Sequence, residues 1–135
     1  MKHFMVSLEI STKDYSLQEL TRLLGLDGDD ISYSIGDIRF KGEASEYTVW
    51  KLESRIPEKA GIVEHLNDIQ SIALEKGVFD PGRIPANCSA SLDIGILYDT
   101  ITCSIEIPPN YWKWMAENNI SLEIICYPCS DDLEE

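Results

Sequence analysis

Residues 4 to 10 alternate, with Phe4, Val6, Leu8 and Ile10 on one face and Ser7 and Glu9 on the other. A period of two predicts a half-buried strand. The stretch VSLEI inside it, residues 6–10, returns as ASLDI at 90–94 and as ISLEI at 120–124. Each copy reads apolar, Ser, Leu, acid, Ile. The second copy lies in a longer alternation, with Cys88, Ala90, Leu92, Ile94 and Ile96 set against Ser89, Ser91, Asp93 and Gly95. The third opens the closing run ISLEIICY. If all three are strands of one sheet, each Leu faces the core. Glu9, Asp93 and Glu123 then share the opposite surface with Ser7, Ser91 and Ser121. The pattern reads equally as an old duplication, an internal pseudo-repeat, or as convergence on one strand type.

Helical periods separate these strands. In SLQELTRLLG, Ser16 with Glu19 three residues on is a capping box, Leu17, Leu20, Leu23 and Leu24 make a stripe, and Gly25 is a natural stop. Residues 27–45 are polar and Gly-bearing, a long connection with a short strand at 38–40. EYTVWKLES, 46–54, places Thr48, Trp50 and Leu52 together and predicts a strand. Pro57 is expected to open a helix that runs to Lys76 and stops at Gly77, with Ile62, Leu66, Ile69 and Ala73 inward. DPGRIP, 80–85, is a turn cluster. ITCSIEI, 101–107, follows the potential turn Tyr98-Asp99-Thr100 and is expected to return as a hairpin partner of 88–96. It would bring Glu106 to the acidic face. NYWKWMAENN follows Pro108 and Pro109 and predicts a helix, with Tyr111, Trp112 and Met115 inward and Trp114 at its flank. The order is that of an α+β domain: a single, mostly antiparallel sheet of four to six strands with about three helices on one face.

Composition sharpens this in one respect. The 135 residues suit one domain, expected over 1–130, with 131–135 an acidic tail. There are 24 Asp and Glu against 11 Lys and Arg, a formal net charge of −13. That field repels nucleic acid and anionic lipid and attracts a basic protein. MKHFMVSLEI has Glu9 and no apolar core region, so it does not read as a signal peptide. No apolar run approaches a membrane span. A cytoplasmic protein with reduced Cys88, Cys103, Cys126 and Cys129 is expected.

Several segments taken together resemble a bacterial domain-of-unknown-function family numbered four-two-seven-nine. They are FMVSLEI followed by LQELTRLLGL, the Lys-Gly step at KGE, the isolated Trp of TVWKLES, the helix start containing EHL, and PPNYWKWMAENNISLEIICY. The segment DGDDISYS departs from the family pattern in lacking a Pro. The resemblance implies an α+β fold and a bacterial source, and it brings no catalytic residues with it.

Motifs for chemistry are sparse. CYPC, 126–129, is a C-x-x-C, but it ends a strand and runs into acid, whereas a redox pair wants a helix N-terminus and zinc wants a second pair. DGDD, 27–30, begins like a calcium loop, yet Ser32 and Ile38 stand where Gly and Glu are required. No nucleophile elbow, phosphate loop or HExxH occurs. No metal, no cofactor and no enzyme activity are therefore expected. The expected function is protein binding, as an immunity or inhibitor protein against a basic toxin. Glu9, Asp93, Glu123, Glu106, Asp29, Asp30 and Trp114 are the candidate contact residues. The alternative is a small-ligand or regulatory module with a pocket near Trp50 and Tyr111.

Overall fold

The computed structural model describes residues 2–39, 42–75 and 84–129. Its elements are β1 (Lys2–Thr12), α1 (Leu17–Leu24), β2 (Thr48–Glu53), α2 (Ile62–Glu75), β3 (Ser89–Tyr98), α3 (Pro109–Glu117) and β4 (Ile120–Pro128). The four strands form one open sheet in the order β2-β1-β3-β4. β1 is antiparallel to both β2 and β3, whereas β3 and β4 run parallel. The fold is α+β, as the alternation of strand and helix periods predicted.

Alternation decides what each strand buries. Phe4, Val6, Leu8 and Ile10 of β1 join Trp50 and Leu52 of β2 and Leu92, Ile94 and Ile96 of β3. The helices lie against this face with Leu20 and Leu24, Leu66 and Ile69, and Tyr111, Trp114 and Met115. α1 is held at both ends. Ser16 and Glu19 complete the capping box, and Gly25 takes the left-handed conformation at φ 78°. Trp50 is wholly buried, and its indole Nε1 donates to the Leu26 carbonyl at 3.0 Å. Trp50 and Tyr111, named above for a pocket, are both buried, and the Tyr111 hydroxyl bonds Asn67.

Several sequence expectations are corrected. Residues 101–107 form no strand. β1 and β4 occupy the two edges of β3, so no ladder remains for a hairpin partner. The segment instead runs beside the core, with Cys103, Ile105 and Ile107 packed partly against it. A crossover through α3 then brings β4 in parallel to β3, as parallel pairing requires. α2 begins at Ile62 rather than near Pro57, where Ala60 N–H donates to the Pro57 carbonyl and closes a turn first. Trp112 and Trp114 exchange places. Trp114 is 7% exposed, inside with Tyr111 and Met115, and Trp112 is 48% exposed. Ile38 makes only an isolated bridge with Ala44. Phe40, the expected helix end at 76–77, the turn at 80–83 and the tail 131–135 lie outside the described residues.

Candidate functional site

The three repeats lie side by side, aligned on their leucines. Leu8 faces Leu92 across the antiparallel pair, and Leu92 faces Leu122 across the parallel one. The motif is symmetric in apolarity about its Leu. An antiparallel neighbour therefore matches apolar to apolar and Ser to acid: Val6 with Ile94, Ser7 with Asp93, Glu9 with Ser91, Ile10 with Ala90. A parallel neighbour matches like to like, so Ser91 stands beside Ser121 and Asp93 beside Glu123. One motif thus turns apolar residues to the core face, where Ile124 of the edge strand stays 42% exposed, and gathers hydroxyls and carboxylates on the other.

The three carboxylates have different environments. Lys51 of β2 pairs with Glu9, Nζ to Oε1 at 2.7 Å. Burial works against the Lys51 ammonium, but the bond and charge of Glu9 outweigh it and hold the group above its ordinary value. Among the described residues Asp93 forms no ion pair of its own, although the Lys51 charge attracts it. Its Oδ1 is buried without a hydrogen-bond partner among the described residues. Desolvation, then the neighbouring Glu9 carboxylate, push its pKa from 3.8 to about 6, with Glu123 adding and the Ser91 hydroxyl opposing. Glu123 is exposed.

Beyond the acids the same face turns apolar. Met5 and Ile125 flank Gly95 in neighbouring strands, and Leu97 lies between His3 and Tyr127. A Cβ at Gly95 would stand 3.0 Å from Met5 Cε and 3.5 Å from Tyr127 Cε2, so both side chains lean over the glycine. Met5, Ile125 and Tyr127 are nonetheless more than two-fifths exposed. Among the described residues no helix covers this face. The sequence carried a sign of this patch, since IICY breaks alternation and puts Ile125 and Tyr127 opposite Leu122.

The remaining candidates fall elsewhere. Glu106 is exposed in the 101–107 segment and, with no hairpin formed, does not share the register of Glu9, Asp93 and Glu123. Asp29 holds the outer edge of β2, where its N–H donates to the Lys51 carbonyl at 2.7 Å and its Oδ2 accepts from Glu53 N–H at 2.6 Å. Ser32 Oγ accepts from Lys51 N–H at 2.9 Å, and Tyr33 exchanges both backbone bonds with Val49. DGDDISY is thus an edge cover for the sheet, which otherwise exposes free backbone groups there. Asp30 is exposed on that loop, and Trp114 is core.

A second feature escaped the sequence reading. A cavity of about 190 Å³ opens beside the start of β1, walled by Phe4, Val6, Glu53, Ser54, Glu58 and His65 among others. His65, in α2, is 1% exposed, and its Nδ1 lies 2.7 Å from Ser54 Oγ. The four cysteines are free thiols, with Cys126 exposed and the others half-buried. Among the described residues no group of three or more His, Cys, Asp or Glu is placed to hold a metal ion, and no helix is long and apolar enough to cross a membrane.

No curated protein and no solved structure matches the chain. A family model does, over residues 2–128, which takes in every strand and helix described above. This chain belongs to that family, described as a domain of unknown function, DUF4279.

Proposed function

We propose that this domain is a non-catalytic bacterial protein that binds a basic partner through the open face of its sheet. The role that fits is an immunity or inhibitor protein acting in the cytoplasm against a basic toxin. The observation that carries the reading is the pair Asp93 and Glu123. They stand side by side in parallel register on a face that no described helix covers. Like charges directly opposite destabilise a sheet, so folding alone does not favour them. A cation from a partner would relieve the crowding of carboxylates at Asp93, whose pKa Glu9 and Glu123 both push up. The adjoining Met5, Ile125 and Tyr127 supply the apolar contact that a charged patch by itself does not. Glu9 contributes less than its place in the repeat suggested, because Lys51 already pairs with it.

The experiment is a kinetic one on the double variant Asp93→Asn, Glu123→Gln, which leaves the Glu9–Lys51 pair intact. A partner isolated from the source cells and purified serves as analyte in a salt series. Association at low salt should slow by about tenfold in the variant, and the difference should shrink as salt rises. Equal association rates at every salt concentration would sink the reading. A second reading, a small-ligand module, draws on the cavity at His65.

A further inference from the structure

The cavity at His65 has an identifiable cause. β2 ends at Glu53, and the chain stays on the edge of β1 through two bonds: Ser54 N–H to the Val6 carbonyl and Phe4 N–H to the Glu58 carbonyl, both 2.9 Å. Between them residues 55–57 leave the ladder. Arg55 N–H turns to Asp68 Oδ2 at 2.8 Å, Ile56 N–H turns to Ser54 Oγ at 3.3 Å, and Pro57 has no N–H to offer. The outward loop opens a space of about 190 Å³, room for about six waters at their liquid volume. α2 closes one wall with His65, whose ring meets Phe4 edge-on at 6.2 Å.

The polar groups here are incompletely matched. His65 is 1% exposed, and its Nε2 has no hydrogen-bond partner among the described residues. A buried imidazole nitrogen without a partner is uncommon and calls for a ligand or water. Ser54 holds Nδ1, and a hydroxyl can either donate to that nitrogen or accept from it. Glu53 and Glu58 add two carboxylates to the walls, and among the described residues no Lys or Arg lines them. His3 stands nearby, its Nδ1 3.8 Å from Glu58 Oε2. Phe4, Val6 and Ile56 provide apolar surface between these groups.

We infer that this cavity is a binding site for a small organic cation, an ammonium carried on a short apolar stem. Glu53 and Glu58 supply the countercharge, the apolar walls take the stem, and His65 Nε2 accepts a hydrogen bond from the ammonium. Binding selects the tautomer with the proton on Nδ1, which then donates to Ser54 Oγ. The site stands whether or not the open sheet face docks a protein. The same chemistry would serve a free amine or the lysine side chain of a partner.

The probe is n-butylammonium, titrated into the full chain at constant ionic strength while the His65 ring nitrogens are followed by NMR. The expected result is saturable binding, with Nε2 moving to the shift of an accepting nitrogen and Nδ1 to that of a protonated one. Butyrate should leave the ring unmoved, and n-butanol should bind more weakly. Glu53→Gln with Glu58→Gln should weaken n-butylammonium about tenfold, the scale of charge-assisted contacts. These are wall residues with exposed side chains, so the variant tests the site without emptying the core. A His65 ring that n-butylammonium does not move means a water-filled cavity only and overturns the assignment. So does equal binding of n-butanol, or full affinity in the double variant. Lysine-bearing peptides tested against the same resonances separate a partner's side chain from a free amine.

Discussion

Replacing Asp93 by Asn tests whether the carboxylate row is a strain on the fold. Asp93 is half-buried beside Glu9 and Glu123, and its pKa stands at about 6 against an ordinary 3.8. Unscreened, that rise would oppose the ionised form by about 3 kcal/mol. The group is open enough to solvent that screening reduces this to about 1–2 kcal/mol. The sign follows from the protons. Between pH 4 and 6 the folded chain keeps a proton on Asp93 that the unfolded chain has released. Stability from this group is therefore full below pH 4 and lost as pH rises through about 6. Asn has the same shape, carries no charge, and can donate its amide to Glu9 or Glu123. The variant should be about 1–2 kcal/mol more stable than the parent at pH 7 and equal to it near pH 4. Urea melts of both proteins from pH 4 to 7.5 measure this directly. The difference between the two proteins is the quantity to read, because the remaining acids give both curves a common slope. A gain at pH 7 that persists unchanged at pH 4 would refute the ionisation argument, and a loss at pH 7 would show that the Asp93 carboxylate supports the fold.

Two further changes probe the packing that positions the site. Trp50→Ala empties a wholly buried position and removes the bond to Leu26, and should cost about 3–5 kcal/mol in denaturant melts. A loss under about 1 kcal/mol would be incompatible with a core tryptophan. Gly28→Ala places a Cβ 2.5 Å from Ser32 Oγ, 3.0 Å from Trp50 Cδ1 and 3.1 Å from the Lys51 carbonyl. It should destabilise by about 1–3 kcal/mol and speed hydrogen exchange at Lys51 and Glu53, whose N–H groups the 28–33 loop holds. Unchanged exchange there would mean that the loop does not clasp the edge of β2.

Local sequence determined which residues each segment buries. Alternation placed Leu8, Trp50, Leu52 and Leu92 in the core and Glu9, Asp93 and Glu123 on the other side, because neighbouring strand side chains point to opposite faces. Ser16, Glu19 and Gly25 delimited α1, because capping involves groups only a few residues apart. Pairing partners were beyond it. Alternation says which face a residue takes and nothing of which edge a strand takes, so residues 101–107 read as a hairpin partner although β4 holds that edge of β3. The parallel register that sets Asp93 beside Glu123 arises from the same long-range choice. Trp112 and Trp114 differ by two positions on a short helix, and only the docking of α3 selects which one is covered. The clasp of DGDDISY on β2 and the cavity at His65 are built mainly from backbone bonds between distant segments. Every residue offers the same backbone N–H and C=O, apart from proline's missing N–H, so side-chain identities seldom announce where those bonds will form, and only the tertiary structure decided them.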